Sequence, residues 1–261
     1  MNKHKMSEKY TFGTTESAAS RLEEIAQFFN PLAREFIRQY IKVPISSAID
    51  LGCEPGFTTD MLYQATHCPN IYGFDSSANF LKMSSARFKR FSFIKYDVTQ
   101  VPFPVQAEFM YVRFLLSHLK DVIELVNLWI TQLLANGKLI IEELEGVDTE
   151  VNVFNEYLRI NCGLIASQGA LLYVGNVLGD GTYNASVLYN ECITIPVANY
   201  QAATWFYPNT ITIWEKEQFV LDKLTKKQSK DISSEILRIK ESNDTRKDST
   251  WKIRRLVLKR K

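Results

Sequence analysis

From residue 46 onward, short apolar runs alternate with stretches of helical spacing, and few folds accept that alternation. Residues 46–51, 70–75, 91–97, 109–113 and 138–143 read as strands, because they are too short and too apolar for amphipathic helices. Helical spacing fills the intervals, over 57–64, 77–88, 115–119 and 122–134. Parallel neighbouring strands need a crossover long enough to hold a helix, and that crossover is almost always right-handed. The alternation therefore predicts an α/β architecture: a doubly wound, mostly parallel sheet with helices on both faces.

Ahead of the sheet, Ala18, Leu22, Ile25 and Phe29 recur at helical spacing, with Ser20 and Glu23 placed as a capping pair inside that stretch. Asn30 suits an N-cap and Pro31 a first helical position, so a second helix is predicted to start there and run to Ile41. After the fifth strand, a helical stretch covers about 153–178 with a break near Gly163 or Gly169, and Gly179 stands where a C-cap glycine belongs. Residues 187–197 and 251–259 read as two more strands, and one of them is predicted antiparallel because little helical sequence remains for a crossover. Between them, 198–249 carries one or two polar helices and the aromatic residues Trp205, Phe206, Tyr207 and Trp214, read first as core or lid packing and second as walls of a ligand pocket.

A chain of 261 residues, 46% hydrophobic, can bury the core of a single domain without disulfides. Its 31 basic and 29 acidic residues leave a formal charge of +2, which gives no footprint for nucleic acid. The basic groups near Lys223–Lys230 and at the carboxyl end read as solvated surface. Cys53, Cys68, Cys162 and Cys192 lack metal-ligand or framework spacing, so no metal is expected and a reducing cytoplasm is the natural setting. No run approaches the roughly 20 apolar residues that a spanning helix needs, so no membrane partner is expected.

The segment richest in chemistry is Ala48-Ile49-Asp50-Leu51-Gly52-Cys53-Glu54-Pro55-Gly56. A strand ends in an acid, passes through glycines and enters a helix, presenting backbone amides and a helix N-terminus at the carboxyl edge of the sheet. Asp50 can accept from a cationic amino group, while Gly52 permits close approach of a ligand. The spacing departs from the Gly-x-Gly-x-x-Gly pattern of dinucleotide binding, which disfavours a nicotinamide cofactor. Asp75 closes the second strand, where an acid accepts from ribose hydroxyls, and Asp97-Val98 closes the third, where a side chain and an amide can read an adenine edge.

These segments, together with Tyr72-Gly73-Phe74-Asp75-Ser76-Ser77, Arg113-Phe114-Leu115-Leu116-Ser117-His118 and Asn136-Gly137-Lys138, resemble the ordered motifs of class I S-adenosylmethionine-dependent methyltransferases. The likeness is to the small-molecule branch, with Tyr10-Thr11-Phe12-Gly13 and a Glu16-to-Leu22 helix ahead of the core. It implies a Rossmann-like seven-stranded sheet with its last strand antiparallel. It also implies an N-terminal helical lid over 1–44, a cofactor-binding core over 45–145 and an acceptor-side region over 146–261. On this resemblance S-adenosyl-L-methionine is the cofactor. Asp50, Gly52, Cys53, Glu54 and Gly56 hold its methionine end, Asp75 and Ser76 the ribose, and Asp97 and Val98 the adenine. Arg113 and Phe114 line the pocket near the sulfonium, and Tyr10 belongs to the lid. Glu54 departs from the glycine usual at its position.

Methyl transfer from a sulfonium needs alignment and exclusion of water more than proton transfer. For an acceptor that must lose a proton, His118 and Glu143, or Glu145, are the candidate bases. The sequence thus predicts a methyltransferase acting on a small organic molecule, with a catalytically weak cofactor-binding or interaction protein on the same fold as the alternative. A macromolecular acceptor is disfavoured by the lack of an added recognition domain, and neither the acceptor nor the oligomeric state is legible.

Overall fold

The computed structural model describes residues 15–42 and 44–261. Strands β1 (Ser47–Leu51), β2 (Asn70–Asp75), β3 (Ser92–Lys95), β4 (Ala107–Arg113), β5 (Leu133–Thr149), β6 (Ser186–Val197) and β7 (Ser249–Lys259) form one seven-stranded sheet in the order β3-β2-β1-β4-β5-β7-β6. The pairings from β3 to β5 are parallel. β7 alone runs against its neighbours, between β5 and β6. The expected doubly wound sheet with a single reversed strand is what the chain builds. Strand order reverses at β1, so a crevice opens at the carboxyl ends of β1 and β4, where open α/β sheets hold ligands.

Alternate residues of the strands face opposite layers, as the pleat requires. Ile49, Leu51, Met110, Val112, Leu139 and Ile141 pack on one face, under α4 (Val122–Gln132) with its buried Trp129. Ala48, Ile71, Phe109, Tyr111 and Ile140 pack on the other, against Phe36 and Ile37 of α1 (Glu16–Tyr40) and Met61 and Leu62 of α2 (Phe57–Thr66). Each large apolar side chain buried there contributes roughly 1.5–3 kcal/mol. The remaining helix of this half is α3 (Ala78–Arg87), capped by the Ser77 hydroxyl.

A third apolar cluster gathers mainly residues that follow β5. It joins α5 (Asn152–Ser167), α7 (Asn199–Thr212), α8 (Gln218–Lys223) and α9 (Lys226–Glu241) to Trp251 and Ile253 of β7. The short α6 (Gly175–Gly179) packs near Arg254 instead.

Three local expectations are corrected and a fourth holds. Residues Glu16–Tyr40 are one helix with Pro31 inside it, so no new helix begins at Asn30. The Asn30 amide is committed elsewhere: it donates to the Phe57 carbonyl at 3.0 Å and accepts from Arg113 at 2.8 Å. The stretch 153–178 divides into α5 and α6 as expected, with the break at the second of the two expected glycines: α5 ends at Ser167 and Gly169 takes φ +80°, while Gly163 sits inside α5, where an added Cβ would stand 2.5 Å from the Phe219 ring. Gly179 is the last residue of α6 rather than its cap, with Asp180 capping. Residues 115–119 form only a 3-10 turn, over Leu116–His118.

Candidate functional site

The site grows from the turn that leaves β1. Gly52 takes φ +71° and Gly56, the N-cap of α2, takes φ +89°, conformations that favour glycine. The amides of Gly52 and Cys53 donate to the Phe74 carbonyl at 2.8 and 3.0 Å, which fixes the turn to β2. Glu54 adopts φ +49°, the left-handed region, although it is not glycine, and its amide donates to Asp75 Oδ2 at 3.0 Å. Asp75 Oδ1 accepts from the Ser77 amide at 2.7 Å, so this strand-end acid braces the turn from below, beside exposed Ser76. Asp97 accepts from the Thr99 amide and hydroxyl, while Val98 is buried and its carbonyl accepts from the Trp129 indole at 2.8 Å.

Asp50 is 1% exposed, and the hydroxyls of Thr58 and Thr59 each donate to its Oδ2 at 2.7 Å. Burial pushes its carboxyl up to about 6, against the pull of those hydroxyls and of the Arg113 charge. Burial likewise pushes the Cys53 thiol well above its ordinary range, which leaves it an inert packing group.

β4 delivers Arg113 and Phe114. Arg113 Nη2 donates to Asn30, its guanidinium lies 6.0 Å from the Phe29 ring centre, and its buried Nη1 has no hydrogen-bond partner among the described residues. Phe114 holds φ +55°, a costly conformation for an aromatic residue, and meets Phe29 edge-on at 5.2 Å. Glu143 explains how this kink is held. Its Oε1 accepts from the amides of Leu115 and Leu116, each at 2.8 Å, and burial pushes its carboxyl up to about 8 against those bonds. Glu143 is absent from the cavity wall among the described residues; it fastens the turn that carries His118.

Asp50, Gly52, Cys53, Glu54, Arg113 and Phe114 line one end of a cavity of about 1100 Å³, its open mouth included. His118 lines the same cavity further on, and burial, reinforced by the Arg21 charge, holds its imidazole down at about 4 and so neutral. Gly56, Asp75, Ser76, Asp97 and Val98 stand at the sheet edge outside this lining, and Tyr10 lies outside the described residues.

The other end of the cavity is aromatic. Tyr157 of α5 stacks on Phe206 of α7 at 4.2 Å, Phe206 lies parallel to Trp251 of β7 at 6.1 Å, and Trp205 meets Trp251 edge-on at 5.0 Å. Asn209 donates to the Tyr157 hydroxyl at 2.7 Å. Of the aromatic residues singled out in the sequence, Trp205 and Phe206 reach the cavity, while Trp214 is fully buried behind Tyr157, stacked on it at 5.6 Å. Sequence reasoning missed Tyr157, Asn161, Asn209 and Trp251, because three separate segments, α5, α7 and β7, meet here and none has a local pattern. Arg21 was legible only as part of the helix that joins Glu16 to Leu22.

A model of the methyltransferase domain family matches residues 49–141, from β1 into β5. Those residues match the methyltransferase domain family. The curated relatives include the trans-aconitate 2-methyltransferase of Rhodopseudomonas palustris (strain HaA2), 27% identical over 121 residues, 46% of this chain and 47% of the relative. The enzyme of the same name from Sinorhizobium medicae (strain WSM419) is 25% identical over 124 residues, 48% of each chain. The chain thus spans about half the length of the curated relatives it matches. Among solved structures, coclaurine N-methyltransferase bound to N-methylheliamine and S-adenosylhomocysteine superposes with a TM-score of 0.56 at 12% identity. That match covers 88% of this chain and 72% of the other, and it shows the shared fold.

S-adenosylmethionine, the cofactor that a methyltransferase domain implies, fits the residues at one end of the cavity. A buried acid, Asp50, and a buried guanidinium nitrogen, Arg113 Nη1, that has no hydrogen-bond partner among the described residues occur in one lining. That opposed pair suits an amino acid carrying both charges.

Proposed function

We propose that this chain transfers a methyl group from S-adenosylmethionine to a small organic acceptor. The carrying observation is that the Asp50–Arg113 end and the aromatic end belong to one cavity, so a methyl donor and an acceptor share a chamber sealed largely by apolar walls. When bound, the cofactor supplies an activated methyl group; the protein's part is to hold and align the two partners and to exclude water.

Asp50 accepts from the cofactor's ammonium, Arg113 Nη1 donates to its carboxylate, and Asp75 and Ser76 receive the ribose. Asp97 and the Val98 amide take the adenine edge. α1 covers the chamber with Arg21, Leu22 and Ile25, which is the part a lid over 1–44 plays. His118 is a neutral hydrogen-bonding group facing the acceptor. Glu143 acts one step back, by fixing the turn before His118. The trans-aconitate specificity of the relatives makes that acid one acceptor to try. No helix among the described residues is long and apolar enough to cross a membrane.

Incubation with methyl-labelled S-adenosylmethionine and a panel of small acids, alcohols and amines tests the reading. Label moved to an organic product is the expected result. A second reading, cofactor binding without transfer, is favoured by Glu54, whose side chain enters the cofactor end from a left-handed backbone. Cofactor retention with no transfer to any acceptor would support it.

A further inference from the structure

We propose that the acceptor is a monocarboxylate on an apolar, ring-sized body, and that the product is its methyl ester. This rests on the methyl-transfer reading above and narrows it to one substrate class.

The acceptor end of the cavity is rich in donors and poor in bases. Trp251 is 8% exposed, lines the chamber, and its indole Nε1 has no hydrogen-bond partner among the described residues. An indole N–H can only donate, so a ligand that satisfies it must bring a lone pair. Tyr157 accepts from Asn209 and keeps its own proton to donate. Arg21 places a guanidinium close enough to bear on the protons of both His118 and Tyr157. Among the described lining residues, the only carboxylates are Asp50 and Glu54, both at the cofactor end. Among the described lining residues this end of the chamber carries a cation, two donor groups and no acid, which favours a ligand carrying negative oxygen and disfavours an ammonium.

Proton bookkeeping points the same way. An alcohol or an ammonium acceptor has to lose a proton, and the described groups facing it are unsuited to take one. His118 is held down at about 4, Tyr157 is pushed up to about 12, and Glu143 faces the turn. A carboxylate needs no base. One oxygen lone pair forms the new C–O bond to the methyl carbon, the S–CH₃ pair returns to sulfur, and the carboxylate and sulfonium charges cancel to a neutral ester and a thioether. The walls set the rest of the molecule: Trp205, Phe206 and Trp251 offer flat apolar surface, and among the described lining residues Arg21 is the one cation at that end, which favours one carboxylate over several.

The test is calorimetry on the protein saturated with S-adenosylhomocysteine, whose own binding is measured first. The probes are 3-phenylpropionate, 3-phenylpropan-1-ol, 3-phenylpropylamine and trans-aconitate. The expected order puts 3-phenylpropionate first, at least about tenfold tighter than the alcohol, amine or tricarboxylate. Trp251→Phe keeps the ring stack and should weaken 3-phenylpropionate about 10- to 100-fold, as loss of one hydrogen bond to a charged group does, with little effect on the alcohol. A melting profile of the variant shows that it is folded, and the probe order in the unaltered protein decides the question if it is not. With methyl-labelled cofactor, label should appear as a base-labile ester. Binding of S-adenosylhomocysteine together with equal or tighter binding of the amine or the alcohol overturns this proposal alone. Failure to bind S-adenosylhomocysteine overturns it together with the reading beneath it.

Discussion

Replacing Glu143 by glutamine should abolish a specific loss of stability at neutral pH. The side chain is fully buried, its Oε1 serves the Leu115 and Leu116 amides, and its Oε2 has no partner among the described residues. Burial carries the carboxyl from 4.5 to about 8 in the fold. Between those values the unfolded chain has released this proton while the folded chain still holds it, so the folded state loses ground as pH rises. At roughly 1.4 kcal/mol per tenfold change in proton affinity, the whole span is worth about 5 kcal/mol at most, lost progressively from pH 4.5 to pH 8. Glutamine keeps an oxygen for the two amides and has no proton to lose. Urea unfolding of both proteins at pH 5 and pH 8 should therefore show Glu143→Gln gaining on the wild type by about 3–5 kcal/mol between the two pH values. The difference between the proteins cancels the other titrating groups, including His118, which opposes the trend between 4 and 6.5. A stability gap between the two proteins that stays constant across that range would refute the reasoning.

Three further outcomes follow from the same geometry. Asp50 is pushed up to about 6, so it is charged above that pH, and affinity for S-adenosylhomocysteine should fall as pH drops below about 6; affinity flat from pH 7.5 to 5 would remove Asp50 as the ammonium partner. Glu54→Gly relieves a left-handed backbone worth about 1 kcal/mol and offsets it with the freedom glycine gains on unfolding, so the melting midpoint should shift little. S-adenosylhomocysteine should then bind at least as tightly; a weaker complex would make Glu54 a cofactor ligand. Trp214→Ala removes a fully buried ring stacked on Tyr157 and should destabilise the fold by about 3–5 kcal/mol in chemical denaturation, whereas a stable variant with altered acceptor binding would make Trp214 part of the pocket.

The turn after β1 was legible because its signals are local. Asp50, Gly52 and Gly56 are a few residues apart, and positive φ at both glycines is the structural form of the pattern they make. The sheet was legible for a similar reason, since each strand carries its own apolar run. Local signals failed where a distant group claimed the side chain. Asn30 and Pro31 read as a helix start, but the Asn30 amide is held by Phe57 and Arg113, and α1 continues through the proline. Glu143 read as an acid at the ligand edge, but the pleat separates it from Glu142. Glu142 bonds Tyr111 and Arg255 on one face, while Glu143 turns under the Leu115 backbone on the other. Trp251, Tyr157 and Asn209 come from β7, α5 and α7, and only the folded chain brings them together. A pocket assembled from such separate segments leaves no spacing to read.

The account depends on the β1 turn and its neighbours holding an adenosyl amino acid between Asp50 and Arg113. Calorimetric titration of the wild type and of Asp50→Asn with S-adenosylhomocysteine measures that directly. One site per chain is expected, with the variant about 10- to 100-fold weaker, as loss of a charged hydrogen bond requires. Neither heat nor thermal shift at millimolar S-adenosylhomocysteine, or identical affinity in the two proteins, would contradict it.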